Sequence, residues 1–286
     1  MNPAPPRLLP SPADNTAQLK GNRLLCQGTD TSVCPFKHAL CIFTAISIDI
    51  LLLLPYNYLL IDKIKRDKER IMKKILSILG DYYHSHDLAL EALEKALAAI
   101  DGGTAPEDIG VQKLSEALDE NPALIILGKM NKLNPKDENP VNWMTPELEK
   151  RITDYVSGGG GFIAWHSGLS GFPEDGPLVR MLCGVFIRHP KENRPIAYSS
   201  VQPLFITDRP YSFEVPDEHY FVKCDTGRTN VFLTSESADG KCEAGWAHGY
   251  GGGRVLCITP THRAEGFTNA EMIRLLADSI KWCLKL

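Results

Sequence analysis

Seven of the eight histidines in this 286-residue chain lie after Met72, and their positions track the apolar runs around them. His84 and His86 follow the run Lys74–Leu79, His166 closes Gly161–Trp165, and His262 follows Arg254–Ile258. If these runs are strands of an open α/β sheet, their carboxyl ends line the ligand crevice, and three strands deliver an imidazole to one edge. Imidazole titrates near neutral pH, so such a group can move protons or ligate a metal. His189, His219 and His248 lie in irregular Gly- or Pro-bounded stretches from which they could join. Any one of these histidines taken singly reads as a loop residue. Their agreement with the crevice rule as a group favours a site.

The segment Ala164-Trp165-His166-Ser167-Gly168 has small residues two positions either side of its centre. That is the elbow pattern, a tight strand-to-helix turn that presents its central residue. The tip here is His166; Ser167 and Ser170 are nearby hydroxyls that do not occupy it. Asp217-Glu218-His219-Tyr220 places acid, base and phenol together. It reads either as a carboxylate reaching the histidines or as an ordinary charged loop, and both readings stay open. His166 and Glu218, with His262, are the candidates for proton transfer. The same three offer zinc-type donors for a divalent metal, although no HxxxH or HExxH spacing supports one. Cys183, Cys224, Cys242, Cys257 and Cys283 share no ligand spacing, and Cys257 and Cys283 read as small core residues.

The elements that must hold these groups can be read from hydrophobic pattern. Strand-like runs cover Lys74–Leu79, Ala123–Leu127, Gly161–Trp165, Val231–Thr234 and Arg254–Ile258. Several are apolar on both faces, as parallel strands buried between helices are. Helical patterns cover Asp87–Ile100, Thr145–Val156 (opening Thr-Pro-Glu) and Asn269–Leu284. Thr268 and Glu271 read as a capping box for the last helix, with Phe267 stapled onto Met272. Gly245–Tyr250 and Arg254–Ile258 flank a Gly251-Gly252-Gly253 turn and suit a hairpin. The Gly158–Gly161 run precedes a strand and lacks a GK[ST] sequence, so it is no phosphate loop. Strand alternating with helix predicts a doubly wound α/β sheet over residues 72–286.

Composition narrows the classes. With 31 Lys and Arg against 35 Asp and Glu, the net charge is −4, which disfavours a nucleic-acid binder. Eight cysteines without a CxxC pair disfavour a disulfide scaffold or a zinc ribbon. Residues 1–71 differ, with a net charge of +3 and a Pro-rich opening that reads as disordered. Ala39–Ile61 is apolar for 23 residues, long enough to span a bilayer. Asp49 costs about 2.5–3.5 kcal/mol there, against roughly 0.3–0.6 gained by each Leu, Ile or Phe. The basic run from Lys63 to Lys74 would then leave the following domain on the cytosolic side. The other reading is that translation starts at Met72 and that residues 1–71 are spurious. Both readings put the domain in a reducing, cytoplasmic setting with free thiols.

Four segments, GGGGFIAWHSG, LCGVFIRHP, FEVPDEHY and GWAHGYGGGRVLCITPTH, occur in that order with these gaps. Together they resemble the trehalose-utilisation (ThuA-like) family from about Lys73 to Leu286. The resemblance implies a flavodoxin-like three-layer sandwich, similar to class I glutamine amidotransferases, with a mainly parallel sheet. The family's positions fall here on His166, His189, Asp217, Glu218, Tyr220, His248 and His262. Thr261 departs from the family, which often has Gly before the last histidine. The implied role is in sugar or disaccharide use, with a small-molecule sugar as ligand. His166, Glu218 and His262 would carry the chemistry. His84, Trp165, His189, Asp217, Tyr220 and His248 would bind substrate, and Trp165, Trp246, Tyr220 and Tyr250 could stack on sugar faces. The alternative is a non-catalytic sugar-binding or regulatory module on the same fold. A glutamine amidotransferase rests on fold alone, since the elbow carries no thiol.

Overall fold

Residues 74–101 and 105–286 are described by the structure, a computed structural model. The expectations for residues 1–71, the Ala39–Ile61 span included, fall outside them. Among the described residues no helix is long and apolar enough to cross a membrane.

The strands in chain order are β1 (Ile75–Leu79), β2 (Glu107–Asp108), β3 (Leu124–Gly128), β4 (Gly161–Trp165), β5 (Gly184–Arg188) and β6 (Arg194–Ser200). They continue with β7 (Ser212–Asp217), β8 (Phe221–Cys224), β9 (Asn230–Ser237), β10 (Gly240–Tyr250) and β11 (Gly253–Ile258). Nine of them form one sheet in the order β2-β1-β3-β4-β11-β10-β9-β6-β7, and β5 pairs with β8 apart from it. From β2 to β11 every pairing is parallel; from β11 to β7 every pairing is antiparallel. Seven of the nine strands consequently run in one direction, and β1, β3, β4, β11 and β7 all end toward the same edge. The expected hairpin is β10–β11, with Tyr250 opposite Gly253 and Gly245 opposite Ile258.

Helices α1 (His86–Asp101), α2 (Leu114–Ala117), α3 (Pro146–Ser157), α4 (Pro177–Leu182), α5 (Ala264–Phe267) and α6 (Ala270–Leu284) complete the fold. α1 and α6 bury Leu93, Leu97, Leu275 and Ile280 against one sheet face. α2, α3 and α4 bury Leu114, Ile152, Val156 and Leu182 on the other. Covered on both sides, β1 and β4 are buried at every residue, which is why their sequences are unbroken apolar runs. The result is the expected three-layer α/β sandwich. Thr145 caps α3, accepting from Leu148 N with Pro146 in the first turn. The cap of α6 falls one residue later than expected. Asn269 accepts from Glu271 N and Met272 N, while the Thr268 hydroxyl turns back to Ala264 O.

Candidate active site

The β1–α1 connection delivers the first imidazole. Gly80 turns the chain at φ +72, where a Cβ would meet His86 Cβ at 2.5 Å, so only glycine makes this turn. The following Asp81 is buried, accepts from Met130 N and holds His84 Nδ1 at 2.6 Å. Burial would raise the Asp81 carboxyl, but the His84 hydrogen bond and charge outweigh it and bring it down to about 2. An ionised Asp81 can only accept, so His84 Nδ1 donates and Nε2 is turned outward. Tyr220 Oη is 3.4 Å from that Nε2.

His166 stands at the end of β4 with φ +47, a left-handed conformation costly for a residue with a Cβ. The turn is locked by Gly168, where a Cβ would lie 2.0 Å from Leu127 O. Nδ1 of His166 lies 2.5 Å from Thr259 O and donates to it, so the ring's lone pair is at Nε2. That Nε2 is buried and has no hydrogen-bond partner. Burial, helped by the nearby His84, pushes the His166 imidazole down to about 3, so it stays neutral. Tyr220 stacks on its ring at 3.8 Å between centroids.

The third imidazole comes from the β11 end and is held by β7. Asp217 is the last residue of β7 and wholly buried. Its carboxylate accepts from Thr261 Oγ1 and His262 N and contacts His262 Nδ1. Although β7 lies four strands from β11 in the order, its end reaches the β11 loop, so the antiparallel half curls over the shared edge. Burial works against ionisation of Asp217, yet His262 and His166 bring it to about 2. Burial likewise opposes protonation of His262, but the Asp217 hydrogen bond and charge raise it above the ordinary histidine value.

All three rings turn toward Glu218, the residue after Asp217. Its carboxylate is 4.0 Å from His166 Nε2, 3.9 Å from His262 Nε2 and 3.9 Å from His189 Nδ1. A cavity of about 380 Å³ opens there, lined by Tyr83, His84, Met130, Phe186, Glu218 and Tyr220 among others. His189 stands on its rim, half-exposed, with Nδ1 also 2.7 Å from Pro190 O. The structure thus brings His84, His166, His189, Asp217, Glu218, Tyr220 and His262 together.

It does not bring the rest. His248, expected in an irregular stretch, lies inside β10, where Nδ1 is 2.8 Å from Thr229 Oγ1 and Nε2 2.9 Å from Met181 O. His219 points away from Glu218, with Ser237 and Ser235 hydroxyls on its two nitrogens. Trp165 and Trp246 are buried, their N–H groups spent on Pro260 O and Leu182 O; Trp165 lines a small second cavity with His84, His166 and His262, while Trp246 does not. Tyr250 sits at the hairpin turn, the opposite end of β11 from His262. Of the expected metal donors, His166 and Glu218 lie close together, 4.0 Å apart. The third member of the tight group is His84: the His84, His166 and Glu218 ligand atoms all lie within 4.8 Å of one another. Sequence reasoning missed Asp81, whose only signal is its place directly after the β1 turn.

This fold and edge site define an α/β protein of the flavodoxin-like type. The family model for trehalose utilisation, ThuA, matches residues 79–283. The chain belongs to the ThuA family. Among solved structures it is similar to a ThuA-like protein of Parabacteroides merdae, with TM-score 0.58, 15% identity, and 74% of this chain and 90% of that one covered. A ThuA-like protein of Bacteroides uniformis gives TM-score 0.54 at 17% identity, covering 73% and 91%. A β-galactosidase of Rahnella sp. R3 shares the fold over 31% of its own length and 73% of this chain, with TM-score 0.52 and 15% identity. No curated protein matches the chain.

Proposed function

We propose that this protein is an enzyme of disaccharide or keto-sugar utilisation that acts on an uncharged sugar by proton transfer in the Glu218 crevice. The carrying observation is the division of labour among the rings. Nδ1 of His84, His166 and His262 each lies against an acceptor in the fold, and the two Nε2 atoms of His166 and His262 flank one carboxylate. His262, whose imidazole Asp217 pushes above the ordinary histidine value, is the proton donor; Glu218 is its carboxylate partner. His166, buried and neutral, contributes a lone pair rather than a proton. No Lys or Arg lines either cavity at the site, which suits a neutral sugar better than a phosphorylated one. Tyr83, Phe186 and Tyr220 supply the aromatic surface that sugar rings pack on. Among the described residues the five cysteines are free thiols, which supports a reducing, cytoplasmic setting.

The test is a turnover screen of the full chain with disaccharides and their keto derivatives, beside sugar phosphates. Turnover of a neutral sugar that is lost in Glu218→Gln is expected. Binding without turnover would assign the crevice to a non-catalytic sugar-binding module instead.

A further inference from the structure

Two imidazole nitrogens and a carboxylate converge in this crevice. His166 Nε2 is a buried lone pair without a partner, fixed as such because Nδ1 donates to Thr259 O. The Asp81 bond on Nδ1 leaves His84 Nε2 facing the crevice, with the Tyr220 hydroxyl 3.4 Å away. A Glu218 oxygen completes the group within 4.8 Å. A single divalent cation can engage all three at once. The charges agree: the carboxylates of Asp81, Asp217 and Glu218 surround the group, and no Lys or Arg lines the cavity.

We propose that His84 Nε2, His166 Nε2 and a Glu218 carboxylate oxygen bind one divalent cation of the zinc type. Two imidazoles and one carboxylate form a donor set suited to zinc, with a fourth position left for water or substrate oxygen. Zinc bonds of about 2.1 Å set neighbouring donors roughly 3.4 Å apart, so the observed group needs to close by about an ångström. The outer partners are those a metal site requires, since Asp81 and the Thr259 carbonyl each fix a ring and its tautomer. His262 is not a ligand. It lies against Asp217 through Nδ1 and keeps Nε2 toward Glu218, beside the metal, as the proton carrier.

The inference rests on this crevice being the working site, and its readout is metal rather than turnover, so a failed sugar screen and a failed metal assay remain distinguishable. The full chain is stripped with a chelator and titrated with zinc by calorimetry, with elemental analysis of the dialysed product. One equivalent is expected, with affinity falling at least a hundredfold in His84→Gln and in His166→Ala. His262→Gln should hold zinc within a few-fold of the parent. Circular dichroism shows that each variant is folded, and His84→Gln, at a partly exposed position, serves if His166→Ala does not fold. Cobalt in place of zinc should give the absorption of a four- or five-coordinate site. Absence of stoichiometric zinc would overturn the proposal. So would loss of binding in His262→Gln with retention in His84→Gln.

Discussion

The molecule carries two sets of sheltered histidines, and they differ in a single respect. At the crevice, His84, His166 and His262 each use Nδ1 against the fold and turn Nε2 toward Glu218. In the antiparallel half, His248 and His219 have polar partners at both ring nitrogens, all of them protein groups. Both sets are sheltered, and in both sets burial opposes the charged ring. What separates a ring that can do chemistry from one that only joins strands is the nitrogen left over. A buried polar atom without a partner is costly, so its persistence marks a place shaped for something else.

The largest test of that contrast is at His262. Asp217→Asn keeps the shape of the side chain and removes the charge that favours the His262 imidazolium. A general acid at the proton-transfer step is worth about 10²–10⁴-fold, and kcat on the sugar should fall within that range. A variant retaining parental kcat would show that His262 is only a structural ring like His248. Next in size is Asp81→Asn, which leaves His84 in place but frees its orientation. Loss of an outer partner of a ligating histidine typically costs about 10–100-fold in metal affinity, measured here by zinc titration. An unchanged affinity would mean that His84 is not held by Asp81 for ligation.

Why the sequence discloses one set better than the other follows from particular residues. His166 and His262 are legible because each follows a largely apolar run, and the strands behind them are almost wholly buried. Asp217 was harder, since Pro216 looks like a loop marker. In fact β7 is the last strand of the sheet, where proline is tolerated, and its residues alternate between exposed and buried. His248 looked irregular because Gly245, Gly249 and the Gly251–Gly253 turn crowd it, yet it belongs to an 11-residue strand. Asp81 has no local pattern at all. Its meaning comes from Met130 N and His84, and the Met130 contact, 49 residues away, only the folded chain brings.

On the structural side of the contrast, His248→Ala leaves the Thr229 hydroxyl and the Met181 carbonyl without their partner. The expected cost is about 1–3 kcal/mol in chemical denaturation, with sugar turnover within a few-fold of the parent. The same ring predicts a pH effect. Burial lowers the folded His248 below the ordinary histidine value, so the unfolded chain takes up the proton first. Its stabilising contribution is complete above that value and is lost as pH falls through it. His248→Gln should therefore reduce the stability slope between pH 7 and 5, by at most about 1.4 kcal/mol per pH unit. Parent and variant curves of equal slope would show that His248 titrates alike in both states.

The smallest expected effect concerns the thiol beside His248. Cys183 Sγ lies 3.6 Å from Nε2, which resembles a Cys–His pair. The geometry argues against an activated thiolate. His248 Nε2 faces Met181 O at 2.9 Å and donates to it, so it has no lone pair with which to take the thiol proton. Burial raises the Cys183 thiol above its usual value, opposite to what a nucleophile needs. The cavity beside it is lined by Glu174, Arg180, Lys223 and Arg228 and includes none of the crevice residues. The elbow tip that would have to carry the nucleophile is His166, and imidazole there offers no thioester. Alanine at Cys183 should therefore leave sugar turnover and zinc affinity unchanged, and neither parent nor variant should release ammonia from glutamine. Glutamine hydrolysis that disappears in Cys183→Ala would move His248 into the working set and erase the distinction drawn from its two satisfied nitrogens.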